Sequence, residues 1–230
     1  MRQFQHLMQT ALLAGAIAGT LLFFYQYLVV VPRIVAAEAY EEHNEGDESE
    51  RDHARHSEWK PNDGWERTFF TAASTILTGI GFAALLLSTV VLCGFSLDVP
   101  RGLLWGLAGF VCFAVAPAIG LPPVPPGVPV SDVHARQLWW VMTVVATAIG
   151  LFLIFARPGS WIPRMAGGIL LLLPHIIGAP QTIGSPIVPA ELVRAFALAS
   201  IAGNGLFWLV LGAATGFFFR SHPRGSIAER

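Results

Sequence analysis

The sequence predicts an all-α integral membrane protein: a bundle of six transmembrane helices, alternatively five, with one acidic extramembrane loop. Composition is the first reason. Of 230 residues 54% are apolar and 13% charged, and the mean hydropathy is +0.59, so most of the surface has to face something other than water. Patterning is the second: the apolar residues fall into runs near the length of about 20 residues that an α-helix needs to cross a bilayer. The third is the segregation of charge. Residues 38–66 read EAYEEHNEGDESERDHARHSEWKPNDGWE, with ten carboxylates between Glu38 and Asp63, Glu66 closing the stretch, and His43, His53 and His56 among them. Charge at that density resists burial in a core or in lipid, so the stretch is solvated. The net charge of −1 hides this division. Elsewhere the cations are scattered singly at the ends of apolar runs, which is no nucleic-acid footprint. Cys93 and Cys112 lie in apolar runs and read as small buried hydrophobes, not as a disulfide.

Taken in order, the chain reads as a single membrane domain, 1–230. Helix 1 covers 7–31, LMQTALLAGAIAGTLLFFYQYLVVV. It exceeds a signal peptide's core and lacks a small-residue cleavage site, so it is a retained span. Gly15 and Gly19, four apart, leave a groove that another helix can enter. Pro32 ends or kinks the span, and 32–66 forms the acidic, histidine-containing loop. Helix 2 follows over 67–95, with Asn62 or Asp63 as its opening cap. After a turn at Asp98–Gly102, helix 3 covers 103–119, with a break at Pro117. The connector 121–133 contains LPPVPPGVP at Leu121–Pro129, a stiff extended piece that fixes the separation of two spans. Helix 4 covers 134–156, with Trp139 and Trp140 at its interfacial end. Helix 5, 161–177, is the weakest crossing, carrying Pro163 at its start and Pro174–His175 near its exit; it crosses tilted or broken, or re-enters. Helix 6 covers 190–219. The cations divide evenly between the two sides, and discounting the long first loop favours both termini in the cytoplasm of a bacterial inner (plasma) membrane. No internal repeat stands out.

Few residues can carry chemistry. The first loop suits a divalent cation, since carboxylates supply hard oxygens and neutral imidazole favours borderline metals over magnesium. His53 and His56 are three apart and would share a helical face, yet neither C-x-x-C nor H-E-x-x-H occurs. A solvated linker that concentrates cations near a pore mouth accounts for the same residues. His175 is the sharper signal, because its surroundings are apolar and Pro174 loosens the ladder beside it. It is a metal contact or a packing histidine held to a backbone carbonyl. Glu191 and Arg194 near the start of helix 6 read as a helix-start acid with an arginine one turn on, and Asn204 as a helix–helix contact. No P-loop and no G-x-S-x-G elbow is present, so transport or binding is expected and not catalysis.

Together, LLAGAIAGTLL with Val31 and Pro32, WKPNDGWERTFFT at Trp59–Thr71, WGLAGF at Trp105–Phe110, APAIGLPP at Ala116–Pro123, RQLWW at Arg136–Trp140 and PHIIGAP at Pro174–Pro180 resemble the CbtA family of probable cobalt transporter subunits. The resemblance runs in order over most of 7–219. It implies five or six spans and a role in cobalt uptake for cobalamin synthesis. It also implies a small single-span CbtB-like partner with a histidine-rich terminus, alongside membrane lipid and the divalent ion. Carried over, it points to His53, His56 and His175 as metal contacts; Glu66 joins them as a carboxylate at the mouth, by position. No tightly bound cofactor is expected, only a transported cobalt ion, with nickel as the alternative. Where an acid is expected after LPP, the chain has Val124, which leaves the connector structural. The rival reading is a structural or metal-sensing membrane subunit that binds a partner without itself translocating metal.

Overall fold

The computed structural model describes residues 2–45, 64–155, 160–182 and 184–219. Every regular element among them is helical. α1 (Arg2–Tyr25) passes through a π-helical stretch, Gln26–Val30, into α2 (Val31–Glu45). The helix therefore continues through Pro32, where the sequence predicts a loop from residue 32. The reason is local. At the end of the π stretch the Val31 N–H donates to the Gln26 carbonyl, five residues back, and this wider register relieves the clash between a proline ring and the carbonyl four residues before it. The Arg33 guanidinium adds a side-chain donor to the Val29 carbonyl inside the same turn.

The third apolar run repeats the device. α4 (Val99–Phe110) leads into a second π stretch, Val111–Val115, and then α5 (Ala116–Gly120), which contains Pro117. The Ala116 N–H donates to Val111, again five residues back. In QYLVV-V-P and VCFAV-A-P alike, one residue separates the π stretch from the proline. Pro117 is thus absorbed inside the helix, and the chain leaves helical geometry only after Gly120, where the Leu121 N–H closes on the Pro117 carbonyl at 2.8 Å.

The remaining helices are α3 (Trp65–Leu92), α6 (Val133–Phe155), α7 (Trp161–Ile177) and α8 (Ala190–Phe218). Aspartates cap two helix starts: Asp98 Oδ1 accepts the Arg101 N–H at 2.9 Å, and Asp132 Oδ1 accepts the Ala135 N–H at 2.9 Å, each satisfying an orphan donor. Five helical stretches are long and apolar enough to cross a membrane, and α7 is shorter at 17 residues. Large apolar side chains face outward, Leu92 at 86%, Ile176 at 77% and Leu138 at 73% exposed, as a lipid-facing surface requires. The protein is a multi-pass α-helical membrane protein.

The contacts form two compact units, Met1–Phe24, Pro61–Gly109 and Gly205–Arg230 in the first, Tyr25–Lys60 and Phe110–Asn204 in the second. Glycine approach holds the first together. Gly15 and Gly19 of α1 meet α3, and a Cβ on Gly19 would stand 2.6 Å from the Thr75 carbonyl oxygen and the Ile76 Cα. Gly102 and Gly106 of α4 face Gly212 and Gly216 of α8, where a Cβ on Gly212 would lie 2.9 Å from the Gly106 Cα. Both crossings depend on the missing side chains. In the second unit α6 meets α7 at Gly150 and Gly167; a Cβ on Gly167 would lie 2.6 Å from the Gly150 carbonyl oxygen. There Tyr25 also donates its hydroxyl to the Ala199 carbonyl at 3.0 Å, beside the apolar cluster of Val30, Phe196 and Ala199.

Candidate functional site

The second unit gathers the ends of three helices around one cavity. α5 stops at Gly120, α6 starts after the Asp132 cap, and α7 ends at Gly178. Between them run two proline-rich connectors. Ser131 Oγ donates to the Pro180 carbonyl at 3.3 Å, and the Ile187 N–H donates to the Gly127 carbonyl at 3.3 Å. The connectors border an open cavity of about 320 Å³, whose lining includes Gly120, Val124, Arg136, Gln181 and Thr182 together with Pro122, Pro129, Pro180 and Pro186. Prolines lack an N–H, so those four wall positions present carbonyls but no backbone donor.

Trp139 supports this region from within the unit. It is 5% exposed, although the sequence puts it with Trp140 at the interface. Gly120 is the reason: its missing side chain admits the indole, and a Cβ there would lie 2.7 Å from Trp139 Cζ2. Trp140 points the other way, 37% exposed, with its ring 6.1 Å from Phe113. The buried Trp139 Nε1 has no hydrogen-bond partner among the described residues, and burying such a donor is costly. Against the indole stands His175, ring centroids 6.1 Å apart in an edge arrangement.

His175 is half-buried, and Pro174 beside it is fully buried. The proline does not interrupt the last turn, since its carbonyl accepts the Gly178 N–H at 3.0 Å. What it removes is its own donor, so the carbonyl one turn back loses its usual helical partner. Neither His175 ring nitrogen has a hydrogen-bond partner among the described residues. A neutral imidazole with an open nitrogen is a ligand for a borderline divalent ion. Carbonyls of the adjoining helix end and water would complete a loose shell, and an indole N–H can donate to water bound to such an ion. Among the described residues no three His, Cys, Asp or Glu side chains come together.

His53 and His56 fall within 46–63, outside the described residues. Glu66 is half-buried in the first turn of α3, where the helix N-terminus favours a carboxylate. It belongs to the first unit and His175 to the second. Glu191 and Arg194 are exposed near the start of α8. Asn204 Nδ2 donates within its own helix, to the Ser200 carbonyl at 3.0 Å, not across to another. Sequence reasoning missed the cavity, whose lining includes Arg136 and Gly120 but not His175. Arg136 stands one turn before Trp139, which is the only local signal; the cavity comes from chain segments about sixty residues apart in APAIGLPP and PHIIGAP.

A family model described as probable cobalt transporter subunit (CbtA) matches residues 4–220. No curated protein and no solved structure matches the chain.

Proposed function

This chain belongs to the CbtA family of probable cobalt transporter subunits, and from that premise we propose that it is the membrane-embedded uptake subunit, in which His175 lends one transient ligand to the ion. One observation supports the assignment of that role above all. The half-buried imidazole stands at a proline-bearing helix end, against Trp139, with neither ring nitrogen engaged by a described residue. Conduction needs ligands sufficient to replace some water and too few to trap the ion. A single imidazole with carbonyls and water meets that requirement.

In this reading the acidic stretch with His53 and His56 raises the local concentration of cations, and Glu66 offers a carboxylate on the approach. The ion is cobalt, with nickel the nearest competitor by ligand chemistry. The metal supplies cobalamin synthesis. A small single-span CbtB-like subunit with a histidine-rich terminus completes the assembly in a bacterial inner membrane, and both termini face the cytoplasm.

The test is uptake of labelled cobalt, with nickel as competitor, in cells lacking their own importers and expressing the chain with its partner. At matched membrane abundance, His175→Ala should lower uptake about tenfold or more, as expected for loss of a charge-assisted or metal-directed contact. The combined His53→Ala and His56→Ala change should mainly raise the concentration needed for half-maximal uptake. No uptake above the empty vector, with both proteins inserted, would sink the transport reading and favour a subunit that senses metal or binds a partner.

A further inference from the structure

One charged group that the transport reading leaves unused is Arg136, and we propose that it makes the proline-walled cavity a binding site for a phosphate group, of the kind carried by an anionic phospholipid headgroup or by free phosphate. Arg136 is half-buried and lines the cavity. Among the described residues its guanidinium has no hydrogen-bond or ion-pair partner. The nearest carboxylate in sequence, Asp132, is engaged in the helix cap through Oδ1 on the Ala135 N–H. A half-buried guanidinium with no hydrogen-bond or ion-pair partner among the described residues keeps its donor fork open to an anion.

The walls select for an anion by elimination. A cation would meet the guanidinium's repulsion, and an uncharged apolar ligand would leave its five donors unmet. The planar fork matches two oxygens of a phosphate, and Thr182, also in the lining, carries a further hydroxyl donor. A volume of about 320 Å³ admits a phosphate with a glycerol-sized group, the small end of ligand pockets. Depth agrees as well. α6 coincides with the candidate span Val133–Phe155, so Arg136 sits in the first turn of a span, at the level where lipid phosphates lie. On the same helix Leu138 is 73% and Val141 50% exposed, as expected where lipid reaches the surface.

This inference does not depend on what His175 does, and its test needs no metal. The full chain, held in phosphatidylcholine nanodiscs, is titrated with short-chain phosphatidylglycerol, with glycerol 3-phosphate and with inorganic phosphate. Thermal shift and native mass spectrometry read the binding. Saturable binding is expected, weakened about ten- to a hundredfold in Arg136→Gln and less in Arg136→Lys, which keeps the charge but not the fork. Val124→Glu, which sets a carboxylate into the same cavity, should suppress binding with Arg136 intact and serves if Arg136→Gln does not fold. Binding of all three ligands identifies free phosphate as sufficient; binding of the lipid alone identifies the headgroup. Binding unchanged in both Arg136→Gln and Val124→Glu, or no saturable binding of any of the three, overturns the proposal.

Discussion

Trp139 is the residue at which burial and chemistry separate. Its indole fills the space left by Gly120, while its Nε1 is buried without a partner among the described residues. Trp139→Phe removes that donor and loses some volume, and the two effects oppose each other, so stability should change by no more than about 1 kcal/mol. Trp139→Ala opens a cavity and should cost about 3–5 kcal/mol. Melting in detergent checks both. If Trp139→Phe melts like the wild type but lowers cobalt uptake, the indole N–H serves the ion's shell; if uptake is also unchanged, the ring only packs. Legibility in the sequence follows the same line at this scale. His175 stands out because a polar residue beside proline in an apolar run is visible locally. Trp139 reads as an interfacial aromatic, and its burial stays hidden, because the glycine that admits it lies nineteen residues earlier in a segment with no periodic relation to it.

Among the elements, close glycine approach occurs in both units, and the two broken registers lie in the second. In the first, the paired glycines of α4 and α8 set the crossing: Gly212→Val would push a branched side chain against the Gly106 backbone and should cost about 1–3 kcal/mol. Gly168→Ala is the control, since no described atom lies within 4 Å of a Cβ there, and it should be neutral or stabilising by up to about 1 kcal/mol. Thermal melts of the two variants against the wild type decide the point; equal melts would mean that the helices can separate freely. Gly15 and Gly19 signal a helix contact in the sequence, though their partner Gly79 does not declare itself. The π stretches before Pro32 and Pro117 are less legible still. Proline predicts a break, and nothing local says that one widened turn will absorb it. That absorbed cost has a consequence. Pro117→Ala restores a donor without relieving any clash, so its effect on stability should stay within about 1 kcal/mol, not the roughly 3 kcal/mol that a helix-interior proline costs elsewhere.

For the whole molecule the deciding element is α7. The apolar patterning makes the membrane class plain from sequence, yet the number of crossings turns on this one helix. Its 17 residues rise about 25 Å at 1.5 Å each, against a hydrocarbon core of about 30 Å. A deficit of that size is modest in energy, a fraction of a kcal/mol per Å, and is met by local thinning of the bilayer. Re-entry carries a heavier demand, because the chain must reverse inside the membrane with its backbone groups satisfied. Between Trp161 and Ile177 the helix is continuous even through Pro174, so no reversal occurs within it. Its apolar side chains are exposed at both ends, Trp161 at 72% and Ile176 at 77%, as a helix in contact with lipid along its length would show. α7 should therefore cross, giving six spans and both termini on the same side. Reporter fusions at the two termini, one active only in the cytoplasm and one only outside it, read this directly: matching locations mean six crossings, and opposite locations mean that α7 turns back and five spans carry the fold.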